Sequence, residues 1–296
     1  MEVFLSVIIF SIVLFLYIHM NFHLNTSNDL EVYTIENVSK DRLEEISNLK
    51  QPVLFNYEND NLLDILNIAK MEELYGAFDV KVRNIVEKEE DGEIYLPIIL
   101  NEVLKIFQKK NNNKIIIENN QDFLEETGLL KTFRYNDSFL RPPLVSICKY
   151  DFMSGSEQSY TPLRYNISHR NYYLVTSGEI NIKLIPPNNG KYLQKETDYD
   201  IFEFSSPINP WDVQDKYKPE YDKVKVLDLT LTKGQIIQIP PYWWYSIQYN
   251  KVSSICVFKY RTYMSTVSIL PKLMLSLLQQ QNIKRVVANK INFEKN

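Results

Sequence analysis

The sequence is short of histidine, cysteine and glycine, and each shortage excludes something. Only three histidines occur, His19, His23 and His169, and the first two lie in or beside an apolar N-terminal run. One imidazole is left for the remaining body, so this chain alone cannot build a metal centre that needs two. The two cysteines, Cys148 and Cys256, exclude a disulfide scaffold and any multi-cysteine zinc site. Each sits in an apolar, strand-like run and reads as a buried thiol, with a single disulfide between them left open. Seven glycines in 296 residues fall well below the usual level of roughly 7%. In their place stand 20 Tyr, 15 Phe and many β-branched residues, a bias toward strands. The formal charge of -4 argues against nucleic acid as the main partner, because phosphate binding needs a concentrated excess of Lys and Arg. No P-loop, dinucleotide-binding fingerprint, G-x-S-x-G elbow or zinc motif occurs. The richness in Asn, Ile and Lys suits an AT-rich genome and carries no mechanism.

One long apolar run is present. Val3 to Met20 reads VFLSVIIFSIVLFLYIHM, without a formal charge, and spanning a bilayer takes about 20 residues. Only Met1 and Glu2 precede it, and the first alanine of the chain is Ala69. The basic leader and small-residue cleavage site of a signal peptide are therefore missing. The run is expected to be an uncleaved single-pass anchor, with the membrane as a partner. Its orientation is unreadable, because the first Lys or Arg after it is Lys40 and the positive-inside rule has nothing to count. Sequons at Asn25, Asn37, Asn136 and Asn166 would suit a luminal domain, whereas scarce cysteine leans toward a reducing compartment.

Beyond the anchor and its flank (1–23), residues 24–40 are polar and aperiodic and read as a stalk. Residues 41–140 read as mixed α and β. Helices are expected at Asp41–Leu49, Asn61–Tyr75, Leu96–Phe107 and Asp122–Leu130, and short strands at QPVLFNY and KIIIEN. Residues 141–262 change character: PLVSICKY, YYLVT, INIKLIPP, VLDLTL, QIIQIPPYWW and SSICVFKY are successive β-type runs separated by turn signals. Many short strands at this spacing predict a sandwich or small barrel of jelly-roll type. The Tyr-rich stretch from Tyr192 to Tyr221 reads as a solvated insertion, with Trp211 covering the barrel mouth. In 263–296, Ile269, Leu273, Leu277, Leu278, Ile283 and Val286 form an apolar stripe on a C-terminal helix, which either packs on the barrel or dimerises.

Two stretches go further. Gly155 to Pro187 reads GSEQSYTPLRYNISHRNYYLVTSGEINIKLIPP, and Leu229 to Ile247 reads LTLTKGQIIQIPPYWWYSI. In this order and spacing they resemble the JmjC or cupin-like-domain family of Fe(II)- and 2-oxoglutarate-dependent oxygenases, above all the asparaginyl hydroxylase that modifies hypoxia-inducible factor. The early PVLF strand is laid out similarly. The resemblance implies a mainly β fold with α: a double-stranded β-helix with flanking helices, preceded here by one transmembrane helix.

The family's chemistry does not carry over with the pattern. Where its TPLHYD motif places the iron-binding His and Asp, this sequence has Arg164 and Asn166, and Tyr245 follows Trp243-Trp244 where the second His is expected. The lysine that grips the 2-oxoglutarate carboxylate matches Ile180, while Lys183 faces the other side of its strand. Thr161 and Asn171 keep polar positions near the co-substrate. His169-Arg170-Asn171 is an H-x-N triplet, but it lacks a carboxylate, so His169 reads as a surface or turn histidine. A guanidinium has no lone pair to give a metal, and Arg164 is expected to hold a nearby acid or an anionic ligand instead. Thr161, Arg164, Asn171, Trp243, Trp244 and Tyr245 form the candidate pocket.

The expectation is a membrane-anchored binding or structural scaffold without cofactor, with an unidentified protein partner and a homodimer through the C-terminal helix as its associations. Two other readings stay open. A divergent oxygenase would use Fe(II) and 2-oxoglutarate with carboxylate ligands from elsewhere, and a cupin module would hold a small anion or sugar against Trp243 or Trp244.

Overall fold

The computed structural model describes residues 1–85, 95–108, 115–199 and 201–282. Helix α1 (Glu2–Leu24) buries none of its residues. Its mean hydropathy reaches 2.6 and it is long and apolar enough to cross a membrane, at about 35 Å against a hydrocarbon core of about 30 Å.

The first half then alternates β1 (Tyr33–Ile35), α2 (Lys40–Ser47), β2 (Val53–Asn56), α3 (Asp60–Ile65), α4 (Ile68–Tyr75) and β3 (Asp79–Asn84). It continues with β4 (Leu96–Ile99), α5 (Leu100–Gln108), β5 (Ile115–Ile117), α6 (Gln121–Glu126) and α7 (Leu129–Asn136). The second half opens with β6 (Val145–Gly155), β7 (Arg164–Tyr165), β8 (Arg170–Ser177) and β9 (Glu179–Ile185). After a 3-10 turn at Pro187–Tyr192 come β10 (Glu196–Asp198), β11 (Glu203–Ser205) and α8 (Lys218–Tyr221). Strands β12 (Leu227–Thr232), β13 (Gln235–Gln238), β14 (Trp244–Tyr249) and β15 (Ser253–Thr262) lead into α9 (Tyr263–Ser268) and α10 (Leu270–Asn282).

Two sheets face each other. One runs β1-β2-β13-β8-β15-β6-β5-β3-β4, and the other β10-β11-β7-β14-β9-β12. Strict alternation explains the core between them: Ile180, Ile182 and Leu184 of β9 and Tyr245, Ile247 and Tyr249 of β14 point inward, onto Tyr173, Val175, Ile237 and Val257 of the large sheet. The outer face of the large sheet is covered by the helices, through Leu43, Leu62, Met71, Leu104, Phe123 and Phe133. A third cluster lies on the outer face of the small sheet, where Tyr165, Phe204, Ile208, Trp244 and Ile269 pack together.

Several sequence expectations need correction. Leu96–Ile99 is not the start of a helix but an edge strand on β3, with Val80 opposite Ile98; Pro97 is tolerated because an edge needs no donor there. The helix expected at Asn61–Tyr75 is two, because the Asn67 side chain accepts from the Ala69 amide and starts α4 afresh. Within the expected stalk, β1 pairs in parallel with β2, so this segment is part of the domain surface. The Tyr192–Tyr221 insertion is not merely solvated: β10 and β11 extend the small sheet, and Leu193, Phe204 and Ile208 are buried. Cys148 and Cys256 are both free. Ile283 and Val286 of the expected apolar stripe lie outside the described residues.

Candidate functional site: a charge network at the barrel mouth

Strand β7 carries the motif residues. Arg164 stands opposite Tyr245 on β14, with its guanidinium carbon 5.9 Å from the Tyr245 ring centroid. Asn166 completes the trio: its side-chain amide donates to the Tyr173 hydroxyl at 2.9 Å and to the Tyr245 hydroxyl at 3.0 Å. The three positions singled out in the sequence therefore converge. Asn166, bonded this way, is also a poor glycan acceptor despite its sequon.

The partners of Arg164 are two acids, Glu118 just after β5 and Glu203 at the start of β11. Its Nη2 donates to Glu118 Oε2 at 2.5 Å and its Nη1 to Glu118 Oε1 at 3.2 Å, a two-pronged contact, and Nη1 also lies 3.4 Å from Glu203. Arg83, at the end of β3, bonds the same two acids, reaching Glu203 at 2.9 Å and Glu118 at 3.2 Å. The Tyr95 hydroxyl adds a bond to Glu118 Oε1 at 3.2 Å. Arg83, Tyr95 and Glu118 belong to the large-sheet side, and Arg164 and Glu203 to the small sheet. The network thus ties the two sheets across the mouth with two positive and two negative charges.

Electrostatics keep those charges fixed. Burial pushes the Glu118 carboxyl up, but Arg164 and then Arg83 outweigh it and hold it at about 2, below its ordinary 4.5. Burial disfavours the charged Arg164 as well, yet Glu118, Tyr245 and Glu203 raise its pKa well above the usual value. At neutral pH Glu118 is therefore ionised and matched by two guanidinium groups, the condition under which buried charges are tolerable.

This donor set does not fit an Fe(II) centre. Arg164 offers no lone pair, the Asn166 amide is engaged by two phenols, and both carboxylates are engaged by guanidinium groups. Among the described residues, no group of three His, Cys, Asp or Glu side chains is close enough together to hold a metal ion.

The other candidate residues are built into the frame. Ile180 is buried in the barrel core opposite Tyr249, and Lys183 points outward to Asp228 at 2.9 Å. The Thr161 hydroxyl accepts from the Ile247 amide at 2.9 Å, and the Asn171 amide donates to the carbonyls of Ser168 and Ile239. Thr161 is thus spent on the frame, whereas the Asn171 Oδ1 is buried without a hydrogen-bond partner among the described residues. Trp243 is buried in the barrel core, with its indole N–H on the Ser27 carbonyl at 3.0 Å, whereas Trp244 faces the outer cluster. The two tryptophans cannot form one stacking wall. Trp211 does not cover the mouth: its indole donates to Ser246 Oγ at 2.8 Å on the outer face of the small sheet.

His169 is not a surface histidine. It is buried, with its ring 4.9 Å from that of His23 at the end of α1. Burial, then the neighbouring Arg170, His23 and Lys50, pull its pKa well below the ordinary value, so it is a neutral packing residue at neutral pH. Arg83, Tyr95, Glu118 and Glu203 were missed from sequence. The one signal available for them was the demand for an acid beside Arg164.

Two facing sheets wound as a jelly roll, with helices on one and a polar cluster at the mouth, define a cupin-class domain. A family model described as a cupin-like domain matches residues 26–263, and the chain belongs to that family. No curated protein shows significant similarity to it.

Proposed function

We propose that the chain is a membrane-anchored cupin-like protein whose barrel serves as a binding or structural scaffold rather than as an Fe(II)- and 2-oxoglutarate-dependent oxygenase. The carrying observation is the Arg164–Glu118 pair at the position where the resemblance to the JmjC-type asparaginyl hydroxylase expects a metal ligand. A fixed guanidinium there supplies the positive charge that an ion would, and the acids it binds are the carboxylates a metal would need. Ile180 in the place of a carboxylate-gripping lysine supports the loss of 2-oxoglutarate binding. The length and hydropathy of α1 support the anchor, and exposed Leu277 and Leu278 on α10 support self-association through the C-terminal helix.

The test is thermal unfolding of the full chain in detergent, with and without Fe(II) or Mn(II) plus 2-oxoglutarate. A ligand at 100 times its Kd stabilises by about 2.7 kcal/mol, or roughly 5–10 °C in a domain of this size. No shift is expected. A shift that requires metal and 2-oxoglutarate together would sink the scaffold reading and return the chain to the divergent oxygenases.

A further inference from the structure

Outside the barrel, a second pocket of about 400 Å³ opens where α1 meets the domain. Leu24, Asn25, Thr26 and Asn28 form one wall, and Tyr165, Tyr242 and Trp244 the other, with Lys195 at its side. Three observations point to an anionic occupant.

The first is unmatched positive charge. The Lys195 ammonium lies 5.3 Å from the Tyr165 ring centroid and 5.8 Å from that of Phe204. Lys272 of α10 sits beside it, 4.9 Å from the Tyr242 centroid and 5.4 Å from Phe204. Among the described residues neither lysine has a carboxylate within ion-pair distance, although five other lysines do. Burial, and then Lys195 itself, lower Lys272 to about 8, so the pair is held together against its own repulsion.

The second is an unused donor. The Tyr242 hydroxyl is buried without a hydrogen-bond partner among the described residues. Tyr242 also holds a left-handed backbone, φ 68°, a costly conformation for a bulky residue. Its amide is fixed on the Asn166 carbonyl at 2.8 Å, so the ring is held in the pocket wall at the expense of local strain. An adjoining pocket that shares Asn28 and Asn188 adds Lys191 and Lys225, beside a Lys223 already paired with Glu220. Its one acid, Asp29, accepts from Ser27 and Gln51.

The third is position. Asn25 to Asn28 form no tether: the Lys50 ammonium donates to the Asn25 carbonyl at 2.6 Å, and Asn28 accepts from the Asn188 amide at 2.9 Å. The pocket therefore lies directly at the end of the apolar helix.

We propose that this pocket binds a phosphate ester, and that the source is the headgroup of an anionic phospholipid beside α1. Lys195 and Lys272 would neutralise the phosphate, the Tyr242 hydroxyl would donate to it, and Trp244 and Tyr165 would line the glycerol side. Aromatic rings and lysines at a membrane–water boundary suit this role. The lipid source rests on the reading of α1 as membrane-embedded, whereas the phosphate chemistry does not.

The full chain is reconstituted into phosphatidylcholine vesicles containing phosphatidic acid as the minor lipid, and lipid retained after mild detergent extraction is counted by native mass spectrometry. Wild type should retain phosphatidic acid over phosphatidylcholine. Each lysine near a lipid surface is worth roughly fivefold, so K195Q/K272Q should weaken this preference by about 30-fold, and K195R/K272R should keep it. Resistance to alkaline carbonate extraction reports insertion of α1 separately, and inorganic phosphate is titrated against the same proteins in detergent. Lysine-dependent phosphate binding without lipid preference would uphold the site and assign it a soluble phosphate ester. If carbonate strips wild type from the vesicles, the anchor reading fails while the phosphate titration still decides the pocket. Retention and phosphate binding that both ignore the lysine substitutions would overturn the proposal.

Discussion

At the scale of single residues, the network at the mouth is a set of four charges none of which can be removed alone. Arg164 and Glu118 are almost fully buried, and taking one partner from a buried pair leaves the other uncompensated at a cost of about 3–5 kcal/mol. Arg164→Ala should destabilise by that amount in denaturant unfolding. Because charge matching is the cause, adding Glu118→Gln to Arg164→Met should recover much of the loss, and a double-mutant cycle reads the coupling. Simple additivity of the two changes would contradict the network. The same pair sets an acid limit. Glu118 is held at about 2 against an ordinary 4.5. A depressed carboxyl stabilises the fold above its unfolded value and loses that contribution as pH falls through the folded one. Stability should therefore drop between about pH 4.5 and 2, and Glu118→Gln should flatten that part of the urea-midpoint profile while lowering it at pH 7.

Much of this site was legible because Arg164, Asn166 and Tyr245 lie in ordered motifs on strands whose alternation tells which side they face. Glu118, Glu203 and Arg83 were not, since they lie 46, 39 and 81 positions from Arg164 or outside any motif, and only the topology brings them together. At the scale of elements, local signals failed where tertiary pairing overrode them. LPIILNEVLKIF has a helical rhythm, yet its first four residues complete the β3 edge. Alternating charges made Tyr192 to Tyr221 look solvated, while Phe204 stacks on Tyr165 at 5.0 Å and seats β11, and with it Glu203. Phe204→Ala should accordingly cost about 3–5 kcal/mol, above the loss from Glu203→Gln. It should also weaken the Arg164 pairing, seen as less cooperative unfolding. A cost below 1 kcal/mol would show that the insertion is as loosely held as its composition suggests.

At the scale of the molecule, what matters is how closely the domain is tied to its apolar helix. The polar composition of residues 24–40 gives no hint of attachment, because attachment there is by backbone pairing and by single bonds to distant residues. The Tyr33 amide donates to the Pro52 carbonyl at 2.8 Å, Trp243 holds the Ser27 carbonyl, and the Lys50 ammonium lies 3.9 Å from the Phe22 ring centroid. Matching of the cupin-like family from residue 26 says the same: the domain begins where the helix ends. Hydrogen exchange on the full chain separates a tether from an integral strand, because a tether exchanges at the rate of unfolded peptide while paired amides wait for local opening. The Tyr33 and Ile35 amides, which face β2, should be protected to nearly its level, in detergent and in vesicles alike. Free exchange at these amides would detach the domain from the apolar helix, and with it the reason for the proposed headgroup to reach the pocket at Trp244.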